Sequence, residues 1–222
     1  MNTYDQNLEI ANQFVTRNRL NILENMGEVF WVNDVLQKME ISKIQKEGWL
    51  KVENSSGNEI SFFPIDGNAG VFQKSGLDVQ DKSKFEYFSS LSTPTKKVAG
   101  SCDCLLLDER WRFFEFKNGP EAGPGETAST VNREKAEKQL ARTMTYFREK
   151  AREIKIGTIE AVFEGVIVTK PDFFRPANPA ALFDRGTNFF LEFEARLLEM
   201  TTDETYILDS TVTTPPTSAI NP

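Results

Sequence analysis

The sequence predicts an α/β (α+β) protein, and three stretches in the second half of the chain lead to that prediction. Two apolar runs, 101–108 and 112–118, are joined by a short polar turn and predict a buried β-hairpin. Residues 131–155 repeat apolar side chains at helical spacing, and residues 159–169 predict a further buried strand. The predicted order is therefore strand, strand, helix, strand.

Composition limits the class of protein and the compartment in which it is expected to work. The 222 residues are 39% hydrophobic and include 18 Phe, enough for the core of one sizeable domain with or without an extension. No apolar run approaches the roughly 18 residues that a membrane-spanning helix needs, and the polar N-terminus lacks a signal-peptide pattern. The only cysteines, Cys102 and Cys104, suit a reducing compartment. We therefore expect a cytoplasmic protein without a membrane partner.

The chain contains no histidine, and this excludes several kinds of site. Ser-His-Asp and Cys-His catalysis and histidine-containing zinc sites are all ruled out. Any metal must bind mainly to oxygen ligands, which favours Mg²⁺ or Mn²⁺. The net charge of −7 disfavours a protein that coats nucleic acid non-specifically, but it is compatible with one local basic surface.

Residues 1–65 predict an N-terminal extension made of helices and a hairpin. Apolar spacing predicts a helix over 5–26 and a strand at 28–32. A second helix is expected from Asn33 or Asp34, as its cap, to about residue 46.

Two runs at the end of this extension, 49–53 and 59–65, predict a hairpin closed by Asn-Ser-Ser-Gly. The order helix, helix, hairpin resembles a winged-helix module. The alternative is that this segment packs against the rest of the chain.

The remaining connecting segments are predicted as follows. Residues 66–80 are expected to form a loop and residues 81–91 a short helix. Residues 118–126 contain three Gly and two Pro and predict a loop that either covers a substrate or is an inert insertion. Residues 189–197 alternate apolar and charged side chains and predict a strand with a partner at 206–212, followed by a disordered tail at 213–222.

Charged side chains lie within the apolar hairpin. In a strand, residues two apart share a face, so Glu115 and Lys117 point one way while Phe114 and Phe116 point into a core. Asp103 on the neighbouring strand is placed to join the polar face. Two carboxylates and an ammonium on inner strands favour a metal site; the alternative is a half-exposed sheet face with ordinary ion pairs.

The neighbours of these charged residues are assigned structural roles. Cys102 and Cys104 flank Asp103 and are expected to lie together on the opposite, buried side as small core residues. Asp108 and Glu109 are expected to be solvated residues of the hairpin turn.

The chain has Asp103 and, twelve residues later across a hairpin, Glu115-Phe116-Lys117. This pattern resembles the motif of the PD-(D/E)xK nuclease superfamily of restriction-endonuclease-like enzymes. The resemblance covers about residues 80–170, and Cys102 stands where the motif has its leading Pro. It implies a restriction-endonuclease-like core, a mixed central sheet flanked by helices, which we assign to residues 66–212.

The resemblance also implies roles for the residues of the hairpin. Asp103 and Glu115 would bind one or two divalent cations, Mg²⁺ or Mn²⁺, with the carbonyl of Phe116 as a further ligand. The metal would lower the pKa of bound water and neutralise the charge that develops in phosphodiester hydrolysis. Lys117 would orient that water or contact the scissile phosphate.

Two further site residues are suggested by the same family pattern. Family members often carry a polar residue on the helix after the hairpin, and Gln139 is the candidate, sharing a helix face with Thr143. The alternative is a surface glutamine. Family members also often add an acidic residue from the first core helix; Glu86 is our candidate, with Glu28 and Glu24 as rivals.

The helix predicted at 131–155 carries eight basic and four acidic side chains in a chain whose net charge is −7. This indicates a phosphate-facing surface in which Lys135, Lys138 and Arg142 bind nucleic acid. The alternative is a solvated helix face of mixed charge.

The sequence therefore predicts a metal-dependent nuclease acting on nucleic acid, with DNA favoured as partner and a homodimer left open. The competing hypothesis is a catalytically inactive nuclease-fold protein that acts as a protein-binding or inhibitor module, which the negative charge supports. A small-molecule enzyme is a weaker option because the chain has neither a phosphate-cradling Gly loop nor a dinucleotide fingerprint.

Overall fold

The computed structural model describes most of the predicted elements. The described residues are 3–14, 21–23, 28–35, 39–57, 59–65, 102–117, 126–153, 163–171 and 179–208. The predictions for residues 66–80, 81–91 and 118–125 and for the C-terminal tail fall outside them.

The described residues form three helices and ten strands. The helices are α1 (Thr3–Phe14), α2 (Glu126–Glu153) and α3 (Pro179–Phe193). The strands are β1 (Asn21–Leu23), β2 (Val29–Asp34), β3 (Met39–Ser42), β4 (Leu50–Asn54), β5 (Ile60–Pro64), β6 (Cys104–Leu107), β7 (Trp111–Lys117), β8 (Phe163–Thr169), β9 (Ala195–Thr201) and β10 (Thr205–Leu208).

Six of the strands form a mixed central sheet in the order β1-β5-β6-β7-β8-β9. The first four are antiparallel neighbours, whereas β7, β8 and β9 run parallel. Parallel neighbours need a long connection, and α2 lies in the connection between β7 and β8. The predicted hairpin 101–118 and the strand within 159–169 are therefore confirmed as β6, β7 and β8.

The other four strands form a second sheet in the order β10-β4-β2-β3. Strand β10 runs parallel to β4, and the remaining neighbours are antiparallel. The second sheet packs on one face of the central sheet, so that Phe30, Val32, Leu50 and Val52 share a core with residues of β6, β7 and β8.

The opposite face of the central sheet is covered by helices. Helix α1 contributes Ile10 and Ala11 to this core, and α2 contributes an apolar stripe: Ala136, Leu140, Met144 and Phe147. Helix α1 is also tied to the sheet by hydrogen bonds, since the Tyr4 and Ser61 hydroxyls lie 2.8 Å apart and Asn7 Nδ2 donates to the Glu109 carbonyl at 3.1 Å. The molecule is thus an α+β structure with helices, central sheet and second sheet in layers.

Strand β7 confirms the predicted alternation. Trp111 and Phe113 face the helices, while Phe114 and Phe116 face the second sheet. By the same period-two rule, Glu115 and Lys117 continue the helix-facing row.

Helix α2 is confirmed as the long helix, and it begins before the predicted start at 131. It lies close to β8 at Gly165, where a Cβ atom would come within 2.9 Å of Met144 Cε and 3.2 Å of Leu140 Cδ1. Glycine at this position leaves room for the side chains of Met144 and Leu140 of α2 against β8.

The N-terminal helices were predicted wrongly. The helix predicted over 5–26 ends at Phe14 in α1, and residues 21–23 are strand β1. The segment predicted as a second helix forms the end of β2 and then β3, which pair in antiparallel fashion. The alternating burial along β2 explains why this part of the chain forms strands, because Phe30 and Val32 pack against the central sheet. The helix–helix–hairpin order of a winged-helix module is therefore not formed.

The hairpin predicted from residues 49–65 was also wrong, although both of its strands exist. Strand β4 belongs to the second sheet and β5 to the central sheet. Both edges of β4 are already paired, with β2 and β10, so β5 has no edge there to join. The chain turns away through Ser55 and Ser56, whose N–H groups both donate to the Leu208 carbonyl at 3.0 Å.

Each sheet therefore combines strands from the predicted N-terminal extension, residues 1–65, with strands from the predicted core, residues 66–212. Strands β1 and β5 extend the central sheet, and β10 from the C-terminal end completes the second sheet. This arrangement agrees with the alternative that the N-terminal segment packs against the rest of the chain. Among the described residues, no helix is both long and apolar enough to cross a membrane.

The C-terminal strand begins later than predicted. Helix α3 continues through Phe193, and β9 starts at Ala195. Phe189 and Phe193 are four residues apart, so the same spacing that alternates along a strand also stacks them on one helix face, with ring centroids 5.0 Å apart. Glu194, at a positive φ of 49°, ends the helix. The predicted partner strand exists as β10, but it pairs with β4.

Candidate functional site

Asp103 is held at the entrance to β6 by both neighbouring strands. Its N–H donates to the Phe114 carbonyl at 2.9 Å, and its own carbonyl accepts from the N–H of Ile65 at 2.8 Å. Its side-chain Oδ2 accepts a hydrogen bond from the N–H of Phe116 at 2.5 Å. The Asp103 carboxylate is therefore fixed against the backbone of the strand that carries Glu115 and Lys117.

Glu115 and Lys117 form an ion pair on the helix-facing row of β7. Lys117 Nζ contacts Glu115 Oε1, and only 1% of the Glu115 residue surface is exposed. Such an environment differs from the half-exposed sheet face considered as the alternative. The ion pair which that alternative predicted is present, but it is covered by α2.

Gln139 joins this group from α2. Its Oε1 accepts a hydrogen bond from Lys117 Nζ at 3.0 Å, and its side chain is buried, unlike that of a surface glutamine. The structure thus brings Asp103, Glu115, Lys117 and Gln139 together, as the sequence predicted.

Thr143 connects α2 to the segment that leads into Asp103. Its Oγ1 accepts from the N–H of Cys102 at 3.0 Å and donates to the Gln139 carbonyl at 2.9 Å. Sequence reasoning placed Thr143 on the same helix face as Gln139 but missed this role. No local signal reveals it, because the bond joins residues 41 positions apart.

The electrostatics of the site oppose an ionised Asp103. Burial, and then the negative charge of Glu115, raise the pKa of Asp103 well above its usual value. The hydrogen bond from Phe116 and the charge of Lys117 act in the opposite direction on this pKa, but they are smaller influences. A bound cation would favour the ionised form of such a carboxyl group.

Asp34 is an acidic residue near this site that sequence reasoning assigned only to a helix cap. It follows Phe30 and Val32 in the alternating row of β2 that faces the central sheet. Its negative charge adds to the rise in the pKa of Asp103 and of Cys104. Asp34 therefore lies within electrostatic range of Asp103, although it comes from the second sheet.

The donors that the site offers to a divalent cation are carboxylate oxygens. Within the described ranges, no group of three or more Cys, Asp or Glu side chains is arranged to hold a metal ion. Asp103 and Glu115 supply two carboxylates. Mg²⁺ is commonly held by one or two carboxylates, with waters and substrate phosphates completing its shell, so these oxygen donors fit it.

The other predicted acidic ligands are not brought to this site by the described residues. Glu86 and Glu24 lie outside them. Glu28 is exposed, and its carbonyl accepts from the N–H of Asn54 at 2.7 Å, at the end of β4 in the second sheet. The N–H of Phe116 donates to Asp103 Oδ2, whereas the Phe116 carbonyl as a metal ligand stays a prediction.

The basic residues of α2 divide into two groups. Arg133 makes a two-pronged ion pair with Glu199 of β9, with both N–O distances 2.7 Å, and Arg148 donates to the carbonyls of Phe193 and Glu194. These two arginines serve packing between elements. Of the three predicted nucleic-acid-binding residues, Lys135 and Lys138 are exposed and Arg142 is buried.

Asp108 was predicted wrongly as a solvated turn residue, whereas Glu109 is exposed as expected. Asp108 is buried and forms an ion pair with Arg112, and its Oδ1 also accepts from the N–H of Arg110 at 2.7 Å. Arg112 points between the two sheets, where a lone cation would be unfavourable, and Asp108 neutralises it.

The two cysteines are both free and buried, as predicted, but they do not share a side. Cys102 packs with the helix-facing core and Cys104 with the core between the sheets. The strand begins only at Cys104, so the regular alternation that would place residues 102 and 104 together does not extend back to Cys102.

Comparison with known proteins gives no assignment. No family model, curated protein or solved structure matches this chain. Its function must therefore be argued from the arrangement of its own residues.

Proposed function

We propose that this chain is a metal-dependent nuclease that hydrolyses phosphodiester bonds of nucleic acid, with DNA as the favoured substrate. The observation that carries the proposal is the convergence of Asp103, directly before β6, with Glu115 and Lys117 of β7 in the centre of a sheet. Buried charges of this kind are unfavourable for stability, and they are concentrated at sites that use them.

The topology supports the same proposal. Strands β6 and β7 form an antiparallel pair, α2 follows, and β8 returns parallel to β7. This is the order that the resemblance to restriction-endonuclease-like enzymes implies, and a core of that kind is part of the proposal. The catalytic side chains would then come from the residue before β6, from β7 and from α2.

A divalent cation, Mg²⁺ or Mn²⁺, would when bound act as a Lewis acid and lower the pKa of a coordinated water. Asp103 and Glu115 are the residues that would hold it. Their burial limits competing water, and the hydrogen bond from Phe116 to Asp103 Oδ2 keeps one carboxylate in a fixed orientation.

Lys117 is the residue proposed to act on the phosphate. A lysine ammonium has three donors, and the contacts with Glu115 and Gln139 account for two of them. The third is left for a phosphate oxygen or the attacking water. Gln139 acts as a positioning residue, because it holds the ammonium beside Glu115.

A second candidate function is a catalytically inactive nuclease-fold protein that binds another protein. Two observations favour it: the net charge of −7, and the presence of only two carboxylates at the site among the described residues. In this alternative the Lys117–Glu115 pair is purely structural, and the chain takes up no divalent cation.

The proposed setting is the cytoplasm, because the two free, buried thiols suit a reducing compartment. A homodimer stays a prediction.

The experiment that tests the proposal compares substrates and metals directly. Purified protein is incubated with plasmid, linear duplex, single-stranded DNA and RNA in Mg²⁺, Mn²⁺ or EDTA. Asp103→Asn and Glu115→Gln each remove one carboxylate charge with little change in shape. Glu53→Gln is the matched control, since Glu53 pairs with Lys51 at 3.3 Å, two residues away on one strand, in a partly exposed position of the second sheet.

We expect metal-dependent cleavage by the wild type and by Glu53→Gln, and its loss in Asp103→Asn and Glu115→Gln. Calorimetry should show divalent-cation binding that follows the same pattern. If the wild type cleaves no substrate and takes up no metal, the nuclease proposal is wrong and the binding-protein alternative is favoured.

A further inference from the structure

Arg142 differs from every other buried arginine in the described part of the chain. The other two, Arg112 and Arg133, are paired with Asp108 and Glu199, and the half-buried Arg148 donates to two backbone carbonyls. Arg142 is 8% exposed, yet among the described residues it makes no hydrogen bond or ion pair, and its buried Nε has no hydrogen-bond partner.

The helix itself offers this guanidinium no anion. The residues one turn before Arg142 on α2 are Lys138 and Gln139, and Thr145 lies one turn after it. None of them carries a negative charge. By contrast, Glu137 on the same helix is paired with Arg185 of α3.

A buried cation without an anion is unfavourable for the folded chain. Burial lowers the pKa of Arg142, which shows the direction of that penalty. A phosphate group would offset it, since the planar guanidinium matches two phosphate oxygens at once.

The position of Arg142 relates it to the candidate site. It lies one helical turn from Gln139, the residue that accepts a hydrogen bond from Lys117. Lys135 and Lys138, both exposed, precede it at spacings of seven and four residues on the same flank of α2. A row of positive charge therefore leads along the helix to a buried guanidinium one helical turn from Gln139.

We infer that Arg142 binds a backbone phosphate of the nucleic acid, one that does not itself react, and so positions the substrate for the site at Lys117. The inference deepens the proposed nuclease function and rests on it. Binding energy from such a non-reacting phosphate would hold the scissile bond in place.

The experiment measures DNA binding separately from cleavage. Labelled duplex and single-stranded oligonucleotides are titrated with the full chain in EDTA, at several salt concentrations, and followed by fluorescence anisotropy. The variants are Arg142→Gln, Arg142→Lys and, as matched control, Arg152→Gln, which removes an exposed arginine from the same helix.

Arg142→Gln should weaken binding by about tenfold or more, as loss of a charged hydrogen-bonded contact does, whereas Arg152→Gln should change it by less than about threefold. The slope of log K against log salt should fall by about one in Arg142→Gln. Arg142→Lys should recover part of the affinity, because it keeps the charge but not the two-pronged geometry.

Thermal unfolding separates this role from a structural one. Arg142→Gln should be at least as stable as the wild type, since the substitution removes a buried cation that has no anionic partner among the described residues. Wild-type affinity in Arg142→Gln, absence of DNA binding by the wild type, or marked destabilisation of the variant would each overturn the inference.

A cleavage arm in Mg²⁺ distinguishes the two proposals. Binding that depends on Arg142 without cleavage of any substrate would contradict the nuclease proposal and leave Arg142 as a phosphate ligand. Cleavage with the same kcat/KM in the wild type and Arg142→Gln would contradict the role of Arg142 and leave the nuclease proposal intact.

Discussion

Thr143 gives the sharpest test of how the site is assembled. Thr143→Val removes the hydroxyl and keeps the shape of the side chain. The N–H of Cys102, which donates to Thr143 Oγ1 at 3.0 Å, then loses its partner in a fully buried environment. The residue most affected is Asp103, which follows Cys102 directly.

The magnitude follows from this one orphaned donor. A buried N–H left without a partner costs about 1–3 kcal/mol. The second bond, from Thr143 Oγ1 to the Gln139 carbonyl, adds little, because it is a back-bond to the helix's own carbonyl. We therefore expect Thr143→Val to lower the free energy of unfolding by roughly 2 kcal/mol. For a chain of this size that corresponds to a fall in Tm of about 4–8 °C.

The assay is urea unfolding with thermal unfolding beside it, and Thr143→Ser is the control. The serine keeps the hydroxyl and loses one methyl group, so it should cost only about 0.8–1 kcal/mol. The m-value should stay the same in both variants, since the surface exposed on unfolding does not change. The reasoning is refuted if Thr143→Val is as stable as the wild type, or more stable than Thr143→Ser.

Three further outcomes follow from the buried charges. The pKa of Asp103 is raised in the folded chain, so wild-type stability should fall as pH rises from the usual carboxyl range through that raised pKa. Asp103→Asn should not lose stability in this way. Its free energy of unfolding in urea should exceed that of the wild type at about pH 8 and equal it at about pH 3. Asp108→Ala removes the hydrogen-bonded partner of Arg112 and leaves it only Glu164, whose Oε1 lies 3.9 Å from its Nε, so it should cost about 3 kcal/mol in the same assay, whereas Glu109→Ala should stay within about 0.5 kcal/mol. Mg²⁺ at about 100 times its Kd should stabilise the wild type by about 2.7 kcal/mol against urea, and should not stabilise Asp103→Asn or Glu115→Gln.

The sequence correctly predicted the elements whose secondary structure follows from the spacing of their own apolar residues. Strand β7 has apolar side chains on both faces, and strand parity alone places Glu115 and Lys117 together. Helix α2 is long enough for its stripe to be unambiguous.

The elements that were predicted wrongly are those whose structure depends on residues far away in the sequence. The strand structure of residues 39–42, which were predicted as part of a helix, depends on packing between two sheets. Strands β4 and β5 are adjacent in the chain, but the pairing of β4 with β10 separates them. The spacing of Phe189 and Phe193 fits a helix and a strand equally well, and tertiary packing decided for the helix.

The residues of the candidate site also divide into those predicted from local pattern and those that depend on tertiary packing. Asp103, Glu115, Lys117 and Gln139 were found from strand parity and a family pattern. Asp34 and Thr143 were missed as site neighbours because their approach depends on how the second sheet and α2 pack. Asp108 was misjudged for a related reason, since its partner Arg112 is buried by strands that arrive from elsewhere in the chain.

We propose that the charged group on β7 hydrolyses phosphodiester bonds, and two matched lysine variants test this proposal. Cleavage of the preferred nucleic acid in Mg²⁺ is followed over time for the wild type, Lys117→Ala and Lys51→Ala. Lys51 also pairs with a glutamate two residues away on one strand, but in the second sheet and partly exposed. We predict that Lys51→Ala cleaves like the wild type and that Lys117→Ala is slower by roughly 10²-fold or more. Equal cleavage rates for Lys117→Ala and the wild type would contradict the account.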